Sequence, residues 1–166
     1  QLLPVGSVVG RDGRTWQNPN PEEVIARTQS TGRDVVLDWE HATEFKAPKG
    51  EPAPAAAWFS DYKIADGFIW GKPDFTPAGK KSVLNREQRY ISPVFRYTKD
   101  GLVWDITSAA LTNRHNLFLQ ALNHEQPTQK PHEDTHMKLT PEQMQKLLAK
   151  MAVSYTHLRA HETTSH

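Results

Sequence analysis

The sequence has 166 residues, 37% hydrophobic and 23% charged, with 20 basic against 19 acidic side chains and a mean hydropathy of −0.68. That length supports one hydrophobic core and hardly two, and the near-neutral balance argues against a nucleic-acid or anionic-membrane partner. The absence of cysteine excludes a disulfide framework, a thiolate zinc site and a cysteine nucleophile, and fits a reducing compartment; no apolar run approaches the roughly 18 residues of a membrane span.

Residues 5–18 read as a polar, glycine-punctuated opening, with Gly10-Arg11-Asp12-Gly13 as a turn signal. Asn20-Pro21-Glu22-Glu23 starts a helix, because Asn20 suits the N-cap, Pro21 the first helical position and the acids the positive end of the dipole. It should run to about Gln29 and stop before Gly32. Residues 34–41 alternate as a strand, placing Val35, Leu37, Trp39 and His41 on one face and Val36, Asp38 and Glu40 on the other.

Residues 47–57 carry three prolines and a glycine and read as a long loop. A hairpin over 58–64 and 67–72 follows, turning at Asp66-Gly67. Thr76-Pro77 opens a short helix that ends before Arg89. Residues 90–98 form a strand broken by Pro93, the Asp100-Gly101 turn leads into a strand over 102–108, and 111–122 is expected as loop and helical turn.

Residues 124–137 read as a polar linker and 138–152 as the start of an amphipathic helix. Thr140 is its N-cap, Gln143 fills the capping-box position, and Met144, Leu147, Leu148 and Met151 form a stripe that calls for a partner. Residues 153–163, VSYTHLRAHET, match one reading frame of a sequencing-adapter oligonucleotide. The expectation is therefore that 153–166 is not natural sequence, that His157, His161 and His166 have no role, and that the protein, which does not begin here with Met, extends in both directions.

His132-Glu133-Asp134-Thr135-His136 satisfies the H-E-x-x-H pattern, in which two imidazoles one helical turn apart hold zinc beside a general-base Glu. The context opposes that: Pro131 precedes it, no apolar periodicity flanks it, and Asp134 would charge a half-buried helix face. No metal or other cofactor is expected. A serine and a histidine make the stronger pair. His41 stands at a strand end beside a loop, partly desolvated yet reachable, as a general base needs; Ser92 is a small hydroxyl among bulky residues, followed by a proline that leaves an opening in a sheet. A serine nucleophile also needs a group that orients its base, for which Asp105 is the first candidate and His115 the second.

These residues lie in blocks that resemble the I protein of Mu-like bacteriophages: Gly10-Arg11-Asp12-Gly13-Arg14-Thr15-Trp16, Asp38-Trp39-Glu40-His41-Ala42-Thr43-Glu44, the proline-rich run over 47–55, Arg89-Tyr90-Ile91-Ser92-Pro93-Val94-Phe95, and Thr107-Ser108-Ala109-Ala110-Leu111-Thr112-Asn113. The likeness spans residues 1–123 and implies a prohead maturation protease with a scaffolding extension, similar to the tailed-phage prohead proteases and herpesvirus assemblin. It implies an α+β, mainly β fold, a small assemblin-like β-barrel with a few peripheral helices. His41 would be general base and Ser92 the acylated nucleophile, with Asp105 matching by register the acid found before a strand in many such proteases. Arg96 or Arg114, or backbone donors, would form the oxyanion hole. The implied partners are the scaffold and major capsid protein, with self-association and no nucleic acid or membrane, inside the assembling prohead in the host cytoplasm. The alternative is a non-catalytic scaffolding or assembly protein on the same fold. A start of the scaffold at Met137 is a further implication.

Overall fold

In the computed structural model the structure describes residues 1–122, which lie within the first of two compact units, residues 1–125. The expected linker, scaffold helix, adapter-like tail and H-E-x-x-H motif all lie outside the described residues. The fold is α+β and mainly β. Six strands form one nearly closed, barrel-like sheet in the order β1-β6-β5-β4-β8-β7. These are β1 (Leu3–Pro4), β4 (Val35–Trp39), β5 (Ala57–Ala65), β6 (Phe68–Phe75), β7 (Tyr90–Tyr97) and β8 (Val103–Thr112). A two-stranded hairpin, β2 (Gly6–Val9) with β3 (Thr15–Asn18), stands beside it.

The chemistry of the chain explains these elements. β5 and β6 meet across Asp66-Gly67, both left-handed (φ 51° and 75°), the primed turn whose twist matches the flanking strands. Helix α1 (Pro21–Ser30) has the expected proline and acidic first turn, although the Asn20 side chain makes no capping hydrogen bond. It lays Val24 into the core and ties itself to β8 through Thr28, whose hydroxyl donates to the Val24 carbonyl (2.8 Å) and accepts from the Ile106 N–H (3.0 Å). Helix α3 (Pro77–Leu84) is capped by the Thr76 hydroxyl, which accepts from the Gly79 N–H.

Three expectations need correction. The opening is not simply polar: around the expected Gly10–Gly13 turn it forms the β2–β3 hairpin, with Val8 and Trp16 paired and both buried. Pro93 does not break its strand, because β7 is a sheet end and tolerates a residue without an N–H; Pro93 stays in register with Ala109. β8 runs on to Thr112, and its central position, between β4 and β7, buries Ala109, Ala110, Leu111 and Thr112.

Register sorts the two faces of the sheet. Residues paired across neighbouring strands project to the same side. One row crosses β5, β4, β8 and β7 as Ala57, Leu37, Ala109 and Pro93, and the next has Ile91 beside Leu111; all of these but Pro93 belong, with Phe59 and Ile69, to the hydrophobic core. The opposite face carries Asp38, Ala110 and Ser92 in one row and Val36, Ser108 and Val94 in the next. Small and polar side chains therefore face away from the core, and most are nonetheless buried, because the chain after β4 folds over them.

Candidate active site

That covering segment begins where β4 ends. The expected strand over 34–41 stops at Trp39: Glu40 and His41 are both left-handed (φ 53° and 59°), an uncommon state for residues with a Cβ. The reversal carries the chain onto the non-core face and into the short helix α2 (Ala42–Phe45). Each such residue costs about 1–2 kcal/mol, so the turn persists only where other contacts over-determine it. They do. The Glu40 N–H donates to the Leu111 carbonyl (3.0 Å), the Thr112 hydroxyl donates to Glu40 Oε2 (2.8 Å), the Ser108 hydroxyl donates to Glu44 Oε1 (2.7 Å), and the Thr43 N–H donates to Asp38 Oδ2 (2.6 Å). Three of these four anchors lie on β8.

β8 also pairs with β7, so it fixes Ser92, opposite Ala110, in the same frame as His41. The two side chains line one cavity of about 360 Å³, as a base and nucleophile must. Ser92 is buried, and its hydroxyl makes no hydrogen bond to any described residue; His41 is half-buried, with its Nδ1 atom shielded from solvent and unpartnered among the described residues. Trp16, Phe95 and Tyr97 form an aromatic wall, with Trp16 edge-on to both neighbours at centroid distances of 5.1 and 5.8 Å. Phe45 stands exposed at the rim, and Arg14 adds the one cationic side chain among the lining residues. Arg14 lies beside Asp12 (2.7 Å) and over the Trp16 ring; its hydrogen bond holds the Asp12 carboxyl below the usual range, and Asp12 in turn raises the guanidinium.

The other sequence candidates are elsewhere. Asp105 is buried, but the structure does not bring it to His41. It sits opposite Arg96 on β7, and both its carboxylate oxygens take hydrogen bonds from that guanidinium. The pair lines a different and larger cavity, about 960 Å³, with Val36, Trp58 and Thr107. Size does not select that cavity as the site, because its one buried carboxylate is already held by Arg96. Arg96 is thereby also removed from the oxyanion role, and Arg114 does not line the His41–Ser92 cavity. His115 stacks on Tyr90 (3.9 Å between centroids) and accepts from Arg11 through Nε2 (3.2 Å); burial, then the Arg11 charge, holds it below the ordinary imidazole value. Its Nε2 is thus engaged, and it does not line the cavity that holds His41.

Sequence reasoning missed Arg14, Trp16, Glu44, Phe45 and Asn116 as cavity residues. The conspicuous Gly10–Trp16 block held two of them, but its proximity to Ser92 depends on the hairpin packing. Among the described residues no group of three or more His, Cys, Asp or Glu is placed to hold a metal ion, and no helix is long and apolar enough to cross a membrane.

A mainly β domain with a serine and a histidine in one cavity is a class of fold and site, and comparison with known sequences defines it further. The family model for the Mu-like prophage I protein, N-terminal domain, matches residues 1–123, and the chain belongs to that family. It is also 32% identical, over 171 aligned positions, to the Mu-like prophage FluMu I protein of Haemophilus influenzae, an alignment covering 92% of this chain and 47% of the relative. The chain thus spans about half the length of that protein. No solved structure matches it significantly.

Proposed function

We propose that this chain carries the protease domain of a phage prohead-maturation protein, a serine endopeptidase with Ser92 as nucleophile and His41 as general base. The observation that supports this reading best is their shared cavity: side chains 51 positions apart are delivered to one place by strands joined through β8, one of them on a strained turn. Strain held in place by tertiary contacts clusters at functional sites.

The chemistry follows from the two groups. Ser92 Oγ attacks the scissile carbonyl carbon as its proton passes to the His41 ring, and the tetrahedral adduct collapses when that proton is given to the leaving amine. Water then attacks the acyl-Ser92 ester, losing a proton to His41, and the serine is regenerated with release of the new carboxylate. The aromatic wall of Trp16, Phe95 and Tyr97 suits an apolar side chain flanking the scissile bond. The substrates in this reading are the scaffold and the chain's own linker, cut inside the assembling prohead in the host cytoplasm, with the major capsid protein and further copies of this chain as neighbours.

Replacing Ser92 by alanine in the longer natural chain tests this. Self-cleavage near residues 124–137 should vanish, as should labelling by a fluorophosphonate probe. A second reading, a non-catalytic capsid-assembly protein on this fold, draws on the lack of a direct Ser92–His41 hydrogen bond. It gains if the S92A chain is processed like the parent.

A further inference from the structure

We infer that Asp38 is the positioning acid of His41, the role in which Asp105 was expected. This rests on the reading of Ser92 and His41 as a catalytic pair. Four observations converge. Asp38 is fully buried, at 0% exposure, on the only polar side chain of β4. Its row in the sheet is Asp38, Ala110, Ser92, so it lies on the nucleophile's face with only a methyl side chain between their strands. Its Oδ2 accepts the Thr43 N–H (2.6 Å) and so clamps the turn that presents His41, three residues along. Among the described residues its Oδ1 is buried without a partner, and so is His41 Nδ1.

These two orphans are chemically complementary. A buried carboxylate oxygen and a buried ring nitrogen left without hydrogen bonds are each destabilising. One is an acceptor and the other, in the tautomer that leaves Nε2 free to take the Ser92 proton, is a donor. An imidazole turned so that its Nδ1–H meets Oδ1 would satisfy both, fix that tautomer, and stabilise the imidazolium formed during attack.

The other candidate acids are exposed or committed. Glu40 and Glu44 are exposed and accept from the Thr112 and Ser108 hydroxyls, and Asp105, which lines the other cavity, is held by Arg96. Arg14 is the cation that lines the cavity, and it is held by Asp12. Asp38 alone is both buried and half-satisfied.

The test uses Asp38→Asn, whose amide oxygen can still accept from Thr43 and so preserve the clamp. Fluorophosphonate labelling of Ser92 is measured against pH for wild type, S92A and D38N, alongside NMR of the His41 ring. D38N should label about 10²–10⁴-fold more slowly at neutral pH. Losing a carboxylate beside an imidazole disfavours the cation, so the acid limb of labelling should move to lower pH. A merely structural acid would lower the folded fraction without moving that limb. Unchanged labelling and acid limb in folded D38N would overturn the assignment. Should D38N fail to fold, wild type decides: a hydrogen-bonded Nδ1–H on His41 supports the pair, and its absence refutes it. Failure of the catalytic reading looks different, since Ser92 would then not label in wild type while the Asp38–His41 contact remained visible by NMR.

Discussion

Replacing Gly79 by alanine sets two effects against each other, and the structure decides between them. Gly79 lies inside α3, where alanine is favoured over glycine by about 1 kcal/mol. A Cβ built there would stand 2.0 Å from the Ala56 carbonyl oxygen and 2.7 and 2.9 Å from the Ala56 C and Cα atoms. These are backbone atoms, and real Cβ contacts do not fall below 3.0 Å, so the helix must lift by about 1 Å. Lifting it strains three hydrogen bonds: Thr76 N–H and Thr76 hydroxyl to the Ala56 carbonyl (2.9 and 3.1 Å), and Gly79 N–H to the Thr76 hydroxyl (3.1 Å). The obstacle is backbone, so overpacking takes the upper end of its range, about 3 kcal/mol; less the helix gain of about 1 kcal/mol, and with up to about 2 kcal/mol from the weakened bonds together, the net is roughly 2–4 kcal/mol of destabilisation. For a domain of this size that lowers Tm by roughly 8–16 °C. Thermal melts of G79A and G71A are the assay. The Gly71 Cβ would meet only side-chain atoms, Leu2 Cδ1 and Phe59 Cδ1 at 2.7 Å, which can turn aside, so G71A should cost less. A G79A protein as stable as the parent would refute the packing of α3 against Ala56.

Other expectations follow from single contacts. Thr28→Val keeps the shape but leaves the buried Ile106 N–H without its acceptor, and should cost about 1–3 kcal/mol in urea unfolding, whereas Thr28→Ser should cost less. Burial pushes the Tyr62 phenol from 10.0 up to about 12, so the unfolded chain ionises first and stability falls as pH rises from about 10; Tyr62→Phe should flatten that alkaline loss in pH-dependent melts. His115 is shifted the other way for a base: burial and Arg11 keep it neutral when folded, so the unfolded chain takes the proton first. Stability should therefore decline as pH falls through about 6.5, and His115→Phe, which keeps the stack on Tyr90, should lessen the decline. Arg96→Ala leaves the buried Asp105 carboxylate without its partner and should lower Tm with no change in Ser92 labelling.

How much of this was legible in the sequence depended on range. Asp66-Gly67 marked its hairpin because a primed turn needs two left-handed residues and these two tolerate it. Pro21 and the following acids marked α1 for equally local reasons. The Glu40–His41 reversal had no such signal: neither residue favours a positive φ, and the contacts that impose it come from Ser108, Leu111 and Thr112, some 70 positions away. Likewise Ser92 and His41 were visible as residue types, but the acid was not. Asp105 looked well placed along β8, yet register shifts between β7 and β8 set it opposite Arg96, while Ser92 faces Ala110 and, beyond it, Asp38. A charged residue alternating into the apolar strand Val35–Trp39 was the one available clue to Asp38.

The position of β8 also bears on the order in which the domain is made. β8 is the last of the described strands, yet it is the common neighbour of β4 and β7, and its pairing with β4 is parallel and spans about 70 residues. On a ribosome, His41 and Ser92 both emerge before the strand that aligns them. Contacts of such sequence separation close late, after the local hairpins. A nascent chain that has not yet released residues 103–112 has both side chains and no frame to join them, so the candidate site is assembled only once residues 103–112 have been made.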